Sequence, residues 1–339
     1  MAKVTINDET LTGIATAIRE KNQTETTYKP SEMAGAIQEI KGGLPENGFV
    51  VDEWDSNGRA ISVTLYNLPS IPNWYFANNS DYQHCLALAL THVTFSNNTI
   101  KVGEHAFRYC KKLALTELPD TITTIGASAF YYCENLALTR LPNSLTTIDA
   151  NAFYYCKKLA LTELPNSLTT IGANAFSSCS ELALMQLPSG VKSLGNSCFY
   201  YCKKLALTEL PSGLTSIGRQ CFSNCEQLKI TEIPSGVTWL NSTAFEKCIS
   251  LTKLRVNASN ISGIEAYTFD SCENLTEISF PNVTSVPNLS NVSAFDDTPI
   301  ANGTGYIYVP DTLVDSFKAA TNWSTYADQI KPISEMPTE

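Results

Sequence analysis

Nine cysteines of this chain stand in one ladder: Cys85, Cys110, Cys133, Cys156, Cys179, Cys202, Cys225, Cys248 and Cys272, with a step of 25 residues, then 23 six times, then 24. Three residues before each stands an aromatic, from Tyr82 and Phe107 through Phe130, Phe153, Phe176, Phe199, Phe222 and Phe245 to Phe269. Three residues after each stands a leucine, from Leu88 to Leu275. Pro119, Pro142, Pro165, Pro188, Pro211 and Pro234 follow nine after their cysteine, and then come Ile125, Ile148, Ile171, Leu194, Ile217 and Leu240. A unit this short has one apolar face and cannot close a core alone, so it must stack on copies of itself. The columns therefore predict a repeat solenoid of about ten 23-residue coils, in which Phe, Cys, Leu and Ile point inward.

Segments such as LALTEL and LTTI predict short strands, each pairing in parallel with the same segment of the next coil. At about 4.8 Å per coil, ten coils make a rod roughly 45–50 Å long. Proline ends the first strand, because it withholds a backbone donor. Gly103, Gly126, Gly172, Gly195 and Gly218 follow the Ile column, with Asp149 and Asn241 in the same place, and this predicts a left-handed turn there; Glu265 breaks the rule. Cysteine is small, apolar and easily buried, and parallel stacking aims neighbouring thiols alike, so a reduced ladder is expected.

Charge adds a second period. After the ladder cysteines stand Lys111-Lys112, Glu134-Asn135, Lys157-Lys158, Ser180-Glu181, Lys203-Lys204 and Glu226-Gln227. Seven after each cysteine the sign is reversed, at Glu117, Arg140, Glu163, Gln186 and Glu209. Neighbouring coils thus set opposite charges side by side, which favours correct register.

The matching motif, IGANAFSSCSELALMQLP and its copies, resembles the BspA-like leucine-rich repeats, also called the Treponema pallidum type, over about residues 60 to 300. The resemblance implies a leucine-rich-repeat right-handed coil of short parallel strands and a binding role, usually with host or cell surfaces. It names no ligand.

Open ends need caps. Residues 1–43 predict two short helices, one capped by Asp8 with Leu11, Ile14, Ala15 and Ile18 on a face, the other starting at Pro30 with Met33, Ile37 and Ile40 inside. Gly42-Gly43 reads as a linker. Residues 44–80 predict a hairpin cap, GFVVDEW and RAISVTLY around Ser56-Asn57-Gly58. The solenoid takes 81–300. Residues 301–339 close it, with Leu313, Val314, Phe317, Trp323, Tyr326 and Ile330 docked on the last coil. The segments IATAIREK and YKPSEMAGAIQEI resemble N-terminal segments of tail-associated structural proteins of phages infecting Gram-positive bacteria. That implies attachment of residues 1–43 to virion tail components; an ordinary helical cap is the other reading.

The net charge of −10 argues against nucleic acid and anionic membrane as main partners. No apolar run reaches the roughly 18 residues needed to span a bilayer. The first twenty residues carry no apolar h-region and no small-residue cleavage site, so synthesis in the cytoplasm without a signal is expected, with virion association or cell-surface display as destinations. His84, His92 and His105 stand in no metal or nucleophile motif, and no GxSxG, HExxH, Walker A or GxGxxG run is present. Cys198 and Cys202 with Cys221 and Cys225 are the best thiol cluster, but Cys198 and Cys221 fill the column of Ala106, Ala129, Ala152 and Ala175 and read as small buried side chains. No catalytic residue, metal or cofactor is expected.

The candidate ligand-binding stripe is aromatic. Tyr109, Tyr131, Tyr132, Tyr154, Tyr155, Tyr200 and Tyr201 occupy the two positions before the ladder cysteine, where at least one of each pair should be exposed. Such rings could bind glycan or protein, or merely stack between coils. The expected function is non-enzymatic adhesion, by a phage or prophage tail-associated protein recognising a bacterial cell-surface protein or polysaccharide. The alternatives are a BspA-like bacterial surface adhesin binding host protein or glycan, and a cytoplasmic interaction scaffold.

Overall fold

The structure, a computed structural model, describes residues 4–6, 48–55, 60–73, 76 and 89–337. The two helices expected within 1–43, the turn at Ser56-Asn57-Gly58, and Tyr82, His84, Cys85 and Leu88 lie outside the described residues.

The runs of the type Leu-Thr-Thr-Ile are rich in β-branched residues and form the most regular part of each coil. Two-residue strands at 70–71, 101–102, 124–125, 147–148, 170–171, 193–194 and 216–217 make one parallel sheet of seven. Its register advances by one repeat per strand, Thr124 against Thr147 and Ile125 against Ile148. A second parallel sheet of three continues the array, with Trp239 against Gly263 and Leu240 against Ile264. Inward from these strands lie Ile125, Ile148 and Leu194, buried with the Leu columns in one continuous core. The outward threonines bond to the previous coil: Thr146 Oγ1 donates to Thr123 O at 3.1 Å, and Thr215 Oγ1 to Lys192 O at 2.9 Å.

The LALTEL segment departs from the expected strand. In the middle coils it forms only scattered inter-coil bonds, such as Ala137 N to Leu115 O and Ala183 N to Leu161 O. Regular pairing appears where its composition changes, at 232–233, 253–256, 277–279 and 306–309. The middle coils write Leu-Ala-Leu, whereas the later ones carry Ile, Val and Thr, which suit a pleated strand better.

The opposite side of each coil is a chain of tight turns. Residues two before and two after each Phe take positive φ, for example Ser128 at 54° and Tyr132 at 58°. Their amides, and that of the Phe between them, turn along the axis: Ser128, Phe130 and Tyr132 donate to Ala150 O, Ala152 O and Tyr154 O at 2.8 Å each. The same triplet recurs around Phe107, Phe153, Phe176, Phe199, Phe222 and Phe245. A left-handed non-glycine residue costs about 1–2 kcal/mol, and around Phe107 to Phe245 each one is held by an inter-coil hydrogen bond.

The glycine column is therefore not the left-handed position the sequence suggested. Among the described residues only Gly303 has a positive φ glycine backbone. The column favours glycine because coils touch there. A Cβ on Gly172 would lie 2.5 Å from Ala150 N, and one on Gly218 2.5 Å from Asn196 N. Two of the side chains that occupy the column bond to neighbouring backbone: Asn241 Nδ2 donates to Ile217 O at 2.7 Å, and Glu265 accepts from Ser242 N at 2.8 Å.

Ten phenylalanines form a stack from Phe76 to Phe295, with neighbouring ring centroids 5.2–5.7 Å apart and planes within 17°. Burial of each ring contributes about 2 kcal/mol. Phe76, which the repeat spacing did not single out, stacks on Phe107, and Phe76 N bonds to Ala106 O. At the far end Phe295 adds a rung that the cysteine ladder misses: Thr298 stands three residues on in place of the cysteine and donates within its own coil to Phe295 O at 2.6 Å. The thiols bond between coils instead. Each described ladder thiol donates to the Phe carbonyl of the preceding coil, among them Cys133 to Phe107, Cys156 to Phe130 and Cys202 to Phe176 at 3.0–3.1 Å. Cysteine is thus the small side chain that fills an apolar slot while still offering a donor.

Both ends are covered. Gly48–Trp54 and Ala60–Tyr66 pair antiparallel, Val4–Ile6 adds to the hairpin's outer edge, and Ala60–Tyr66 pairs in parallel with His92–Thr94. At the C-terminus, strands 306–309 and 330–332 extend the sheet past Glu277–Ser279, with a short helix at Val314–Ala319 between them. Phe317, Trp323, Tyr326 and Ile330 are buried, and Leu313 and Val314 pack against them in part. Trp323 Nε1 donates to Pro287 O at 2.7 Å and Tyr326 Oη to Val292 O, which pins this cap to the last coil.

Two measurements test this packing. Gly172→Ala should destabilise the fold by about 1–3 kcal/mol in urea unfolding, because backbone must move. Burial pushes the ladder thiols far up, Cys272 to about 12, so almost no thiolate exists at neutral pH. In a Cys85→Ser protein, iodoacetamide at about pH 8 should label nothing until guanidinium is added; fast labelling of the native protein would contradict the buried ladder.

Candidate functional site

The left-handed residue before each cysteine throws its side chain outward, and the residue before that lies beside it. This places Tyr109, Tyr131, Tyr132, Tyr154 and Tyr155 on three consecutive coils. Tyr131 stacks on Tyr154 at 4.8 Å and Tyr132 on Tyr155 at 4.4 Å, while Tyr109 meets Tyr131 edge-on at 5.5 Å. The next coil carries Ser177 and Ser178 instead, so Tyr200 and Tyr201 form a separate pair, 5.4 Å between rings. The seven tyrosines are thus a cluster of five and a pair, not one stripe. All are half-buried except Tyr201, which is 40% exposed.

Cations rim the rings. The Arg108 guanidinium lies 5.0 Å from the centroids of both Tyr109 and Tyr131, Lys157 Nζ 4.3 Å from Tyr155, and Lys203 Nζ 5.2 Å from Tyr201. Burial among neighbouring rings raises the Tyr131 and Tyr132 hydroxyls above their ordinary range, so they stay protonated donors. The surface therefore offers ring edges, hydroxyl donors and positive charge within one patch.

The alternating charges close as the repeat pattern requires. Glu134 sits between Lys111 at 3.1 Å and Lys157 at 3.2 Å, Lys203 meets Glu226 at 2.7 Å, and Lys204 meets Glu181. On the other row Arg140 does not bond to Glu117 or Glu163; it makes two bonds to Asp120, at 2.6 and 3.2 Å. Sequence reasoning missed Asp120, which stands directly after the proline in a column that the next coils fill with Asn143, Asn166, Ser189 and Ser212.

Among the described residues no group of three or more His, Cys, Asp or Glu is placed to hold a metal ion. Cys198 and Cys221 are fully buried in the alanine column, and burial raises both thiols. His92 is exposed, and burial lowers the His105 imidazole beside Glu104 and Arg108.

Residues 77–206 and 192–310 match the family described as BspA type leucine rich repeat region, 6 copies. The chain belongs to the BspA-type leucine-rich-repeat family. This BspA-type array is similar in structure to a leucine-rich cell surface protein from Faecalibacterium prausnitzii, at 21% identity and TM-score 0.45, covering 85% of this chain and 97% of that one. It is similar to the Treponema pallidum leucine-rich-repeat protein at 28% identity and TM-score 0.41, covering 55% and 91% of the two chains. It is also similar to the pneumococcal vaccine antigen PcpA, at 18% identity and TM-score 0.41, covering 83% and 80%. No curated protein matches the BspA-type sequence significantly.

Glu134 gives the electrostatic prediction. The bond from Lys111, helped by Lys157, holds its carboxyl below the usual range. A depressed carboxylate contributes stability above its unfolded pKa, and that contribution is lost as pH falls through the folded value. Glu134→Gln should therefore cost up to about 1 kcal/mol at neutral pH, screened by salt, and nothing once pH lies below the folded pKa. Urea unfolding across pH checks both limits.

Proposed function

We propose that this chain is a non-enzymatic adhesion protein that recognises a bacterial cell surface through the tyrosine cluster. The observation that carries the reading is that the fold does not need those rings. The same two columns hold Ser177 and Ser178, then Ser223 and Asn224, then Glu246 and Lys247, in coils with the same turn and the same hydrogen bonds. Five tyrosines concentrated on three coils, rimmed by Arg108, Lys111 and Lys157, exceed what stacking requires. Tyrosine supplies contact area and a polar tip at low entropic cost, as in other recognition surfaces. The positive rim suits a cell-surface polysaccharide or protein with acidic groups. BspA-type family membership supports a binding role.

The finer reading places the protein on a phage or prophage tail, attached through residues 1–43, and rests on their sequence resemblance alone. A BspA-like bacterial surface adhesin for host protein or glycan is the alternative, and a cytoplasmic scaffold the next.

Purified chain should bind saturably to whole cells and isolated wall polysaccharide of a susceptible Gram-positive host. Replacing Tyr131, Tyr132, Tyr154 and Tyr155 with serine, which the same columns already accommodate, should weaken binding about tenfold or more. Unchanged binding by that folded variant would remove the cluster from the reading.

A further inference from the structure

A groove runs along the array on the side of the proline column, away from the tyrosines. Its first stretch has a volume of about 830 Å³ and extends from Asp120 to Ser212, and a second stretch of about 620 Å³ shares Glu209 and Ser212 and continues past Glu232. Most of its lining is polar, and a narrow apolar seam of buried Leu164, Leu187 and Pro188 with half-buried Pro165 runs along its base. Glu163, Gln186 and Glu209 make one wall, and Asn166, Ser189 and Ser212 the other.

The two charged rows of this protein are finished differently. In the row beside the tyrosines Glu134, Glu181 and Glu226 each meet a lysine of an adjacent coil. In the groove Arg140 is taken by Asp120, and among the described residues Glu163 and Glu209 have no ion-pair partner. Both are exposed. They stand two coils apart with neutral Gln186 between them, so their separation is about 9.6 Å at the spacing of parallel strands.

That distance is the repeat of one conformation. A polyproline-II helix rises about 3.1 Å per residue with three residues per turn, so every third side chain returns to the same face after about 9.3 Å. Consecutive positions of an ordinary β-strand cannot do this, because residues three apart point to opposite faces. A polyproline-II backbone has no internal hydrogen bonds and leaves its carbonyls open, and Gln186, Asn166 and Ser189 bring donors to them. The seam of Leu and Pro suits its prolines. We propose that this groove binds an extended polyproline-II segment carrying lysine or arginine at every third residue. The net charge of −10 favours such a cationic partner at long range. The inference goes beyond the surface-recognition reading and does not depend on it, since no groove residue belongs to the tyrosine columns.

Fluorescence anisotropy tests it on the full chain, with a labelled twelve-residue Pro-Pro-Lys repeat as probe. Binding should be saturable and weaken with salt, and E163Q/E209Q should lower affinity about tenfold or more, a change of at least about 1.4 kcal/mol. E134Q, on the paired row, should bind like the parent. A Pro-Pro-Gln repeat should not compete, and a peptide of equal charge with lysines at alternate positions should compete at least about tenfold less well. Equal binding by E163Q/E209Q, equal competition by the mis-spaced peptide, or no saturable binding to the parent would each overturn the proposal. The tyrosine-to-serine variant should bind the probe normally, which separates failure here from failure of the adhesion reading.

Discussion

Three amides per coil, those of the ladder Phe and of the residues two before and two after it, donate along the axis to the next coil. Everything else on that side follows from this geometry. Turning an amide onto the axis twice in five residues requires two left-handed residues, and non-glycine side chains take that conformation only when the bond repays it. Between the two, Phe is forced inward onto its own column. Three residues on, the small thiol-bearing side chain fits beneath and donates a hydrogen bond to a Phe carbonyl of the preceding coil. The residue beside the cysteine is left outside. The rings of Tyr132 and Tyr155 are therefore displayed by the same bonds that hold the stack together.

The constraint also separates what is structural from what is free to vary. Phe, Cys and the small residue before Phe touch the neighbouring coils and scarcely change along the array. The two outward columns run from tyrosine through serine to Glu246 and Lys247 and then to Asp270 and Ser271 with no change in turn geometry. A surface whose composition is decoupled from its scaffold is where recognition is written in a stacked protein. The proline-side groove is decoupled in the same manner, since one column carries Glu163, then neutral Gln186, then Glu209 on the same backbone frame.

Much of this was readable from periodicity. The inward columns, the parallel register, the alternating ion pairs around Glu134 and the docking residues of the C-terminal cap all follow from spacing and burial. What was not readable depends on three-dimensional closeness. The glycine column looked like a left-handed turn because glycine serves that purpose elsewhere; its true reason is a Cβ meeting the backbone of the coil beneath. Two further rings of the stack are not legible from the cysteine spacing, because Phe76 lies outside it and Phe295 is followed by Thr298 rather than a cysteine. The LALTEL segment alternates like a strand, but the poor strand propensity of alanine and leucine leaves it irregular in the middle coils. The break in the tyrosines at Ser177 and Ser178 was visible in the letters, and its meaning came only when coils were set side by side.

The most direct measurement is native-state hydrogen exchange with residue-level fragmentation across 127–133 and 150–156. The amides of Phe130, Tyr132, Phe153 and Tyr155, which sit in turns by any local criterion, should exchange as slowly as those of Ile125 and Ile148 in the sheet, because each is bonded to the next coil. Exchange at the rate of open turns would mean that these bonds do not hold the stack, and the display of the tyrosine face would lose its physical basis.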